Sequence, residues 1–360
     1  QVPASLELAP EVVYEDDERK DTLHRVPLGV VAAIAPWNWP LMIAIWQIIP
    51  AIRMGNTVVL KPSEYTPIAT LEMARLINQV LPPGVLNTVT GDGRIGSKLT
   101  SHPDIDKIMF TGSEATGRRI IEASAHNLAP ITLELGGNDA AIVLPGTDVG
   151  AIAEGLFWGA FLNMGQTCAC IKRLYVHDDD YEAIMSTLGK VADQMTIGDG
   201  TDENVLIGPL QNKMQYDKVR ELIADARANQ CDVREYGDAP DKGYFLPITL
   251  VGNISDGQRL VDEEQFGPVL PIVRYRDLDE AIVSANRLPA ALGASVWADD
   301  PTVAVKTAGQ LEAGTVWINQ HGAIHPMVPF GGNKASGYGC EFGLEGLKAV
   351  TQARVISIKK

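Results

Sequence analysis

Three residues of types that can run acyl chemistry stand in order along this chain. Asn38 lies in Pro36-Trp37-Asn38-Trp39-Pro40, Glu134 in Leu133-Glu134-Leu135-Gly136-Gly137, and Cys168 closes Phe161-Leu162-Asn163-Met164-Gly165-Gln166-Thr167-Cys168. A thiolate attacks a carbonyl, a carboxylate takes a proton from water, and a fixed amide donates to the oxyanion that develops. Singly, each also has an inert reading. A cysteine can be a small hydrophobe, a carboxylate can cap a turn, and a turn asparagine can satisfy its own backbone. For Cys168 the balance shifts with Gly165-Gln166 just before it and an apolar helix feeding it, a junction where a thiol is partly exposed and activated. Glu134 follows the run 130–133 among apolar neighbours, so burial would raise its pKa, and the glycines after it admit a ligand closely. Asn38 is held between two tryptophans and two prolines.

The surrounding pattern predicts what positions them. An apolar strand over Val30–Ile34 leads through a turn to a helix starting near Pro40, which suits a first-turn position. The uncharged stretch 26–52 is long enough to imitate a membrane span, but Pro27, Pro36, Pro40 and Pro50 interrupt it. Strands over 57–60, 86–89 and 107–110 alternate with helices over 67–80 and from a Ser113 cap to about Ala125. Such alternation predicts a parallel sheet covered on both faces, with ligands beyond the carboxyl ends of the strands. A second alternating region follows Gly137: strands over 140–144 and 171–176, a long helix over 149–164, helices over 180–196 and 212–229, then strands over 270–275 and 315–318. Glu15 to Asp21 reads as a solvated turn between two extended runs, and 353–358 as an edge strand able to pair with another subunit.

Within this frame Lys61 and Glu64, just after the strand 57–60, could hold neighbouring ribose hydroxyls or form a surface ion pair. Gly112 and Ser113 open a helix, whose N-terminus can receive a phosphate. A literal GxGxxG, Gly91 to Gly96, is set aside because it is short and Asp92 would face the pyrophosphate.

Composition excludes several classes. The 360 residues suffice for two cored domains, with 46% hydrophobic and 21% charged residues, as in ordinary soluble proteins. A net charge of −15 repels nucleic acid and anionic membrane. Cys168, Cys170, Cys231 and Cys340 form no even ladder and no signal peptide opens the sequence, so reduced thiols in the cytoplasm are expected. Cys168-Ala169-Cys170 is too tight for common zinc spacings and His177 has no partner at ligand spacing, so no metal is expected.

These segments resemble the NAD(P)-dependent aldehyde dehydrogenase superfamily from about Val12 to Lys360. Four further signatures join them: Glu263-Glu264-Gln265-Phe266-Gly267-Pro268-Val269, Pro329-Phe330-Gly331-Gly332, Ser336-Gly337-Tyr338-Gly339 and Glu341-Phe342-Gly343. The resemblance implies an α/β fold: a Rossmann-like coenzyme domain (27–135), a second α/β catalytic domain (136–335), and a small β oligomerisation element (1–26 with the return segment 336–360). It casts Cys168 as the nucleophile, Asn38 and the Cys168 N–H as the oxyanion hole, Glu134 as the base that hydrolyses the thioester, and Glu341 as a second carboxylate in proton relay. It places Trp37, Lys61, Glu64, Gly112, Ser113, Leu135, Gly136, Glu264 and Phe266 on the coenzyme, and Trp39, Met42, Ile43, Trp46 and Phe330 on the aldehyde.

Glu64 beside a ribose would repel a 2′-phosphate, so NAD is expected over NADP. The presence of Glu134 favours the free acid over transfer to coenzyme A. The apolar, aromatic set suits an uncharged aliphatic or aromatic aldehyde. His321 and His325, in the loop 320–327, read as surface histidines. A homodimer or homotetramer is implied. Relatives usually carry a substantial segment before the region that begins here, so the resemblance also implies a truncated form. That sets a catalytically impaired chain with a structural or binding role beside the enzymatic reading. A further alternative is a coenzyme A-acylating enzyme or an esterase using the same thiol.

Overall fold

The structure is a computed structural model that describes residues 8–360; the first seven residues of the expected segment 1–26 lie outside the described residues. Two compact units emerge. One holds the described residues through Leu135 together with Ile324–Gly331 and Gly337–Lys360; the other holds Gly136–Ala323 and Gly332–Ser336.

In chain order the elements begin with β1 (Glu11–Glu15), β2 (Arg19–Pro27), β3 (Val30–Ile34), α1 (Pro40–Arg53), β4 (Thr57–Lys61), α2 (Pro67–Ile77), β5 (Leu86–Thr88), α3 (Gly93–Thr100), β6 (Lys107–Thr111), α4 (Glu114–Ser124) and β7 (Ile131–Glu134). The second unit adds β8 (Asp139–Val143), α5 (Val149–Phe161), β9 (Ile171–His177), α6 (Tyr181–Ala192), α7 (Lys213–Ala228), β10 (Asp232–Tyr236), β11 (Ile248–Ile254), α8 (Arg259–Asp262), β12 (Val269–Tyr275), α9 (Leu278–Asn286), β13 (Ala290–Ala291), β14 (Gly293–Trp297), α10 (Pro301–Ala308), β15 (Thr315–Ile318) and β16 (Asn333–Lys334). β17 (Gly337–Tyr338), α11 (Gly343–Lys348) and β18 (Thr351–Lys359) return to the first unit.

The first unit is built on a sheet of order β17-β7-β6-β3-β4-β5, parallel except for β17. Its central strand, Val-Val-Ala-Ala-Ile, is buried along almost its whole length, as expected for a strand covered on both faces. Pro40 and Pro67 start α1 and α2 at positions where a missing N–H costs nothing, and the Ser113 side chain caps α4. The apolar stretch 26–52 is therefore divided between β3 and α1, and among the described residues no helix is long and apolar enough to cross a membrane. A separate antiparallel sheet, β1-β2-β18, zips β18 to β2 over nine residue pairs. Arg19, Lys20 and Asp21, expected in a turn, belong to β2.

The second unit has a sheet of order β10-β11-β12-β9-β8-β14-β15, parallel except for β10. It carries the largest apolar core, with Leu156, Phe157 and Phe161 of α5 among Ile142, Leu174 and Tyr175. Asp148 caps α5 by accepting from the N–H groups of Gly150 and Ala151. The architecture is thus α/β with a Rossmann-like first unit and a second α/β unit.

Candidate active site

The candidate residues fall into two sets, one in each unit. In the first unit, β3 lies between β4 and β6, the point where successive connections diverge and where α/β sheets bind ligands. The loop after β3 carries Trp37, Asn38 and Trp39, all half-buried. Its base is fixed by Gln47 of α1, fully buried, whose Nε2 donates to the Thr111 hydroxyl (3.2 Å) and the Ile34 carbonyl (3.4 Å). The Trp37 carbonyl accepts from the Thr66 hydroxyl at 3.4 Å. Lys61 ends β4 with its stem buried and its ammonium 3.7 Å from exposed Glu64. The ion pair read as a bland alternative therefore exists, but with one partner inside. After β6, Gly112 lies where a Cβ would collide with the Phe110 ring, and Gly117 where a Cβ would meet Leu135 at 2.7 Å. These bare positions, a capped helix N-terminus and a Lys–Glu pair at one sheet end fit a dinucleotide. The set-aside GxGxxG opens α3 with Asp92 as its cap, and that carboxylate occupies the helix N-terminus an anion would need.

Glu134 ends β7, and around it the first unit gathers a buried cluster that the sequence only half disclosed. Glu134 and Glu341 are both buried. Neither carboxylate oxygen of Glu134, nor Oε2 of Glu341, has a hydrogen-bond partner among the described residues. Burial, and then the neighbouring Glu341, hold the Glu134 carboxyl well above the usual carboxylate range. Burial pushes Glu341 up to about 8, against the pull of Lys107. Lys107, the first residue of β6, is itself lowered to about 8 by burial and donates to the Thr132 hydroxyl at 2.7 Å. Sequence reading saw Lys107 only as the start of a strand; the signal was a lysine opening an otherwise apolar run. Phe330 and Glu341 exchange backbone hydrogen bonds at 2.9 and 2.7 Å, which places buried Phe330 beside the second carboxylate. Trp39, Met42 and Trp46 follow one another along α1, with Trp46 edge-on to Phe342 at 4.7 Å between ring centroids, while Ile43 points into the core.

In the second unit the expected helix over 149–164 stops at Phe161. Asn163 (φ 52), Met164 (φ 59) and Gly165 (φ 70) turn left-handed, which no α-helix continues. Gly165 is required twice over, since a Cβ there would also strike the Gly267 carbonyl. Gln166 is buried and pins this turn, donating to the Asn163 carbonyl (3.1 Å) and accepting from the Gln211 N–H (2.9 Å). Cys168 follows, half-buried. A Cβ on Gly137 would come within 2.8 Å of the Cys168 carbonyl, so the glycine lets this strand start and the cysteine loop approach closely. Cys170 is fully buried; its thiol donates to the Ala160 carbonyl and burial pushes it up to about 11, which suits packing rather than attack.

Glu264 accepts from the Gly137 N–H at 3.2 Å and lies against Gly136, where a Cβ would meet its Oε2 at 2.5 Å. Desolvation raises its carboxyl to about 7, opposed by Lys172 and Lys218. Phe266 is left-handed as well (φ 53). Ser336 holds this edge together, donating to the Gly136 carbonyl and accepting from the Ala291 N–H, both at 2.8 Å.

Gly137, Cys168 and Phe266 precede β8, β9 and β12, at the amino ends of their strands. One expectation needs correction: the His321 side chain is wholly buried, its Nδ1 2.9 Å from the Ser295 hydroxyl and its Nε2 3.3 Å from Asp139, while His325 is exposed. A loop position does not reveal what covers it. Among the described residues no cluster of three or more His, Cys, Asp or Glu is placed to hold a metal ion.

A profile of the aldehyde dehydrogenase family matches residues 4–356. The chain is 40% identical to phenylacetaldehyde dehydrogenase of Pseudomonas fluorescens, over 98% of this chain and 70% of that one. It is 39% identical to aldehyde dehydrogenase LUC3 of a Fusarium species, over 99% of this chain and 76% of that one. The solved NAD+ complex of the aldehyde dehydrogenase from Bacillus cereus superposes with a TM-score of 0.96 at 34% identity, covering 99% of this chain and 73% of that one.

Proposed function

Because this chain belongs to the aldehyde dehydrogenase family, and so is an aldehyde-oxidising enzyme that uses a nicotinamide coenzyme, we propose that it converts an uncharged aliphatic or aromatic aldehyde to the carboxylic acid with NAD. In this reading Cys168 attacks the aldehyde carbonyl, and Asn38 with the Cys168 N–H carries the charge of the resulting oxyanion. The coenzyme, when bound, accepts hydride from the tetrahedral adduct. Glu134 then takes a proton from water, which attacks the Cys168 thioester and releases the acid. Glu341 and Lys107 relay that proton away.

The observation that carries the hydrolytic step is Glu134 itself. Its carboxyl is buried, has no hydrogen-bond partner among the described residues and is raised well above its ordinary range. A purely structural carboxylate so placed would go unsatisfied, whereas a carboxyl raised by burial is suited to keep a proton taken from water. On the coenzyme we assign Trp37, Lys61, Glu64, Gly112, Ser113, Leu135, Gly136, Glu264 and Phe266. The acidic Glu64 supports NAD over NADP. Trp39, Met42, Trp46 and Phe330 supply an aromatic, apolar wall, and the phenylacetaldehyde dehydrogenase relative supports an aromatic substrate. The exposed Val355, Ile356 and Ile358 of β18 support a homodimer or homotetramer, and the four cysteines a reducing, cytoplasmic setting.

The test is NADH absorbance with a panel of short aliphatic to aromatic aldehydes, plus succinic semialdehyde, for the chain and Cys168→Ser. Turnover of uncharged aldehydes that vanishes in the variant supports the reading. Turnover unchanged in Cys168→Ser, or confined to the semialdehyde acid, refutes it.

A further inference from the structure

Lys172 is an almost fully buried cation that the proposed reaction does not use. It is the second residue of β9, four positions after Cys168. Its ammonium donates to the Gly165 carbonyl, inside the left-handed turn that delivers Cys168. The same ammonium stands 5.0 Å over the centre of the Phe266 ring. Its backbone carbonyl accepts from Gln265 Nε2 at 3.0 Å. One residue thus touches both strained segments: the turn before Cys168 and the Glu264–Gly267 loop, where Phe266 is itself left-handed. The two segments also meet directly, since a Cβ on Gly165 would strike the Gly267 carbonyl. A buried ammonium is expensive where a methionine would fill the same space, so its retention calls for a function.

We propose that Lys172 is a positioning residue for the aldehyde oxidation, clamping the Cys168 turn to the Glu264–Gly267 loop and placing its charge on the side of that loop. This rests on Cys168 as nucleophile and Glu264 as coenzyme ligand. The titratable groups near Lys172 are Glu264, Asp139 and Cys170, and each senses its charge. Lys218 reaches Glu264 from α7, donating to its backbone carbonyl at 2.6 Å. Without Lys172, Lys218 and the Gly137 N–H would be left to offset the desolvation of the Glu264 carboxyl.

The experiment compares Lys172→Met, Lys172→Gln and Lys172→Arg with the unaltered full chain, using Cys168→Ser as the blank. Thermal unfolding shows that each is folded. Two further readouts need no turnover: the rate of Cys168 alkylation by iodoacetamide, and the dissociation constant of NAD from tryptophan fluorescence between pH 6 and 9. In Lys172→Met, alkylation should slow about tenfold as the turn loosens. The pH below which NAD binding weakens should rise by about one unit. Lys172→Arg should restore most of both. Lys172→Gln, able to donate to Gly165 but uncharged, should restore the alkylation rate and leave the pH midpoint raised. It also carries the comparison if Lys172→Met does not fold. Variants that melt earlier but keep both the alkylation rate and the pH midpoint would make Lys172 merely structural and overturn the proposal. An unaltered chain that shows no alkylation beyond Cys168→Ser, or no NAD binding, would instead bring down the site reading and this proposal with it.

Discussion

Glu341→Gln keeps the shape of a buried side chain and removes one titration. In the folded protein burial raises the Glu341 carboxyl from 4.5 to about 8, so the folded state holds its proton while the unfolded chain has released it. A raised pKa contributes stability that is complete below the unfolded value and is lost as pH rises through the folded one. From pH 6 to the folded value of about 8 is 2 pH units; at a little over 1 kcal/mol each, roughly 3 kcal/mol present at pH 6 has gone by pH 9. Lys107 works in the other direction. Its pKa is lowered from 10.5 to about 8, so its stability contribution is lost as pH falls, and it returns roughly 1 kcal/mol between the same limits. Lys107 is common to both proteins and drops out of their difference to first order. Urea unfolding of the coenzyme-free chain at pH 6, 7, 8 and 9 should therefore find Glu341→Gln already about 2 kcal/mol more stable than wild type at pH 6, because the unfolded carboxyl ionises from 4.5 upward. By pH 9 that gap should have widened by roughly 3 kcal/mol. Parallel stability curves would mean that Glu341 does not titrate in this range. A variant that loses ground as pH rises would mean that ionised Glu341 is stabilised by Lys107, and the desolvation argument would fail.

The remaining predictions concern the chemistry. Glu134→Gln should still release one equivalent of NADH in a burst, while steady-state turnover falls by about 10²–10³, because acylation survives and hydrolysis loses its base; a loss of the burst itself would contradict that role. Glu64→Ala should move the NADP-to-NAD ratio of kcat/KM toward NADP by about tenfold, the worth of one relieved like-charge contact. An unchanged ratio, or equal use of both coenzymes by wild type, would refute the assignment of Glu64 to the ribose.

Much of the frame was readable from local chemistry. Pro40 and Pro67 at first-turn positions, the Ser113 cap and the apolar runs of β3, β4 and β6 each declare themselves within a few residues. What escaped was decided at a distance. Lys107 opens an apolar strand as a solvated first residue often does, and only the fold shows its ammonium sealed behind Thr132 beside Glu341. His321 sits in a polar loop, and only the return of that loop onto Ser295 and Asp139 buries it. The end of α5 was missed because 162–164 keeps an apolar character, whereas the turn there is imposed by packing against Gly267. Cys168 and Glu134 stand out as candidates because glycines lie within three residues of them, and a glycine near a chemical group signals close approach whatever the fold.

Strain explains why so many long-range bonds converge on the loop before Cys168. Asn163 and Met164 are non-glycine residues in left-handed conformation, each at a cost of about 1 kcal/mol. Phe266, in the neighbouring loop, adds a third. Within the segment the Gln166 N–H and Nε2 both donate to the Asn163 carbonyl. Further compensation comes from elsewhere in the second unit: the Gln211 N–H into the Gln166 side chain, that side chain's Nε2 toward the Pro209 carbonyl, the Lys172 ammonium onto Gly165, and the bare backbone of Gly267 against Gly165. None of these partners is local to the turn, so the conformation exists only when the unit is folded. A nucleophile carried on such a turn has one position available to it. A nucleophile on a relaxed helix end would have several, each needing to be ordered again at every turnover.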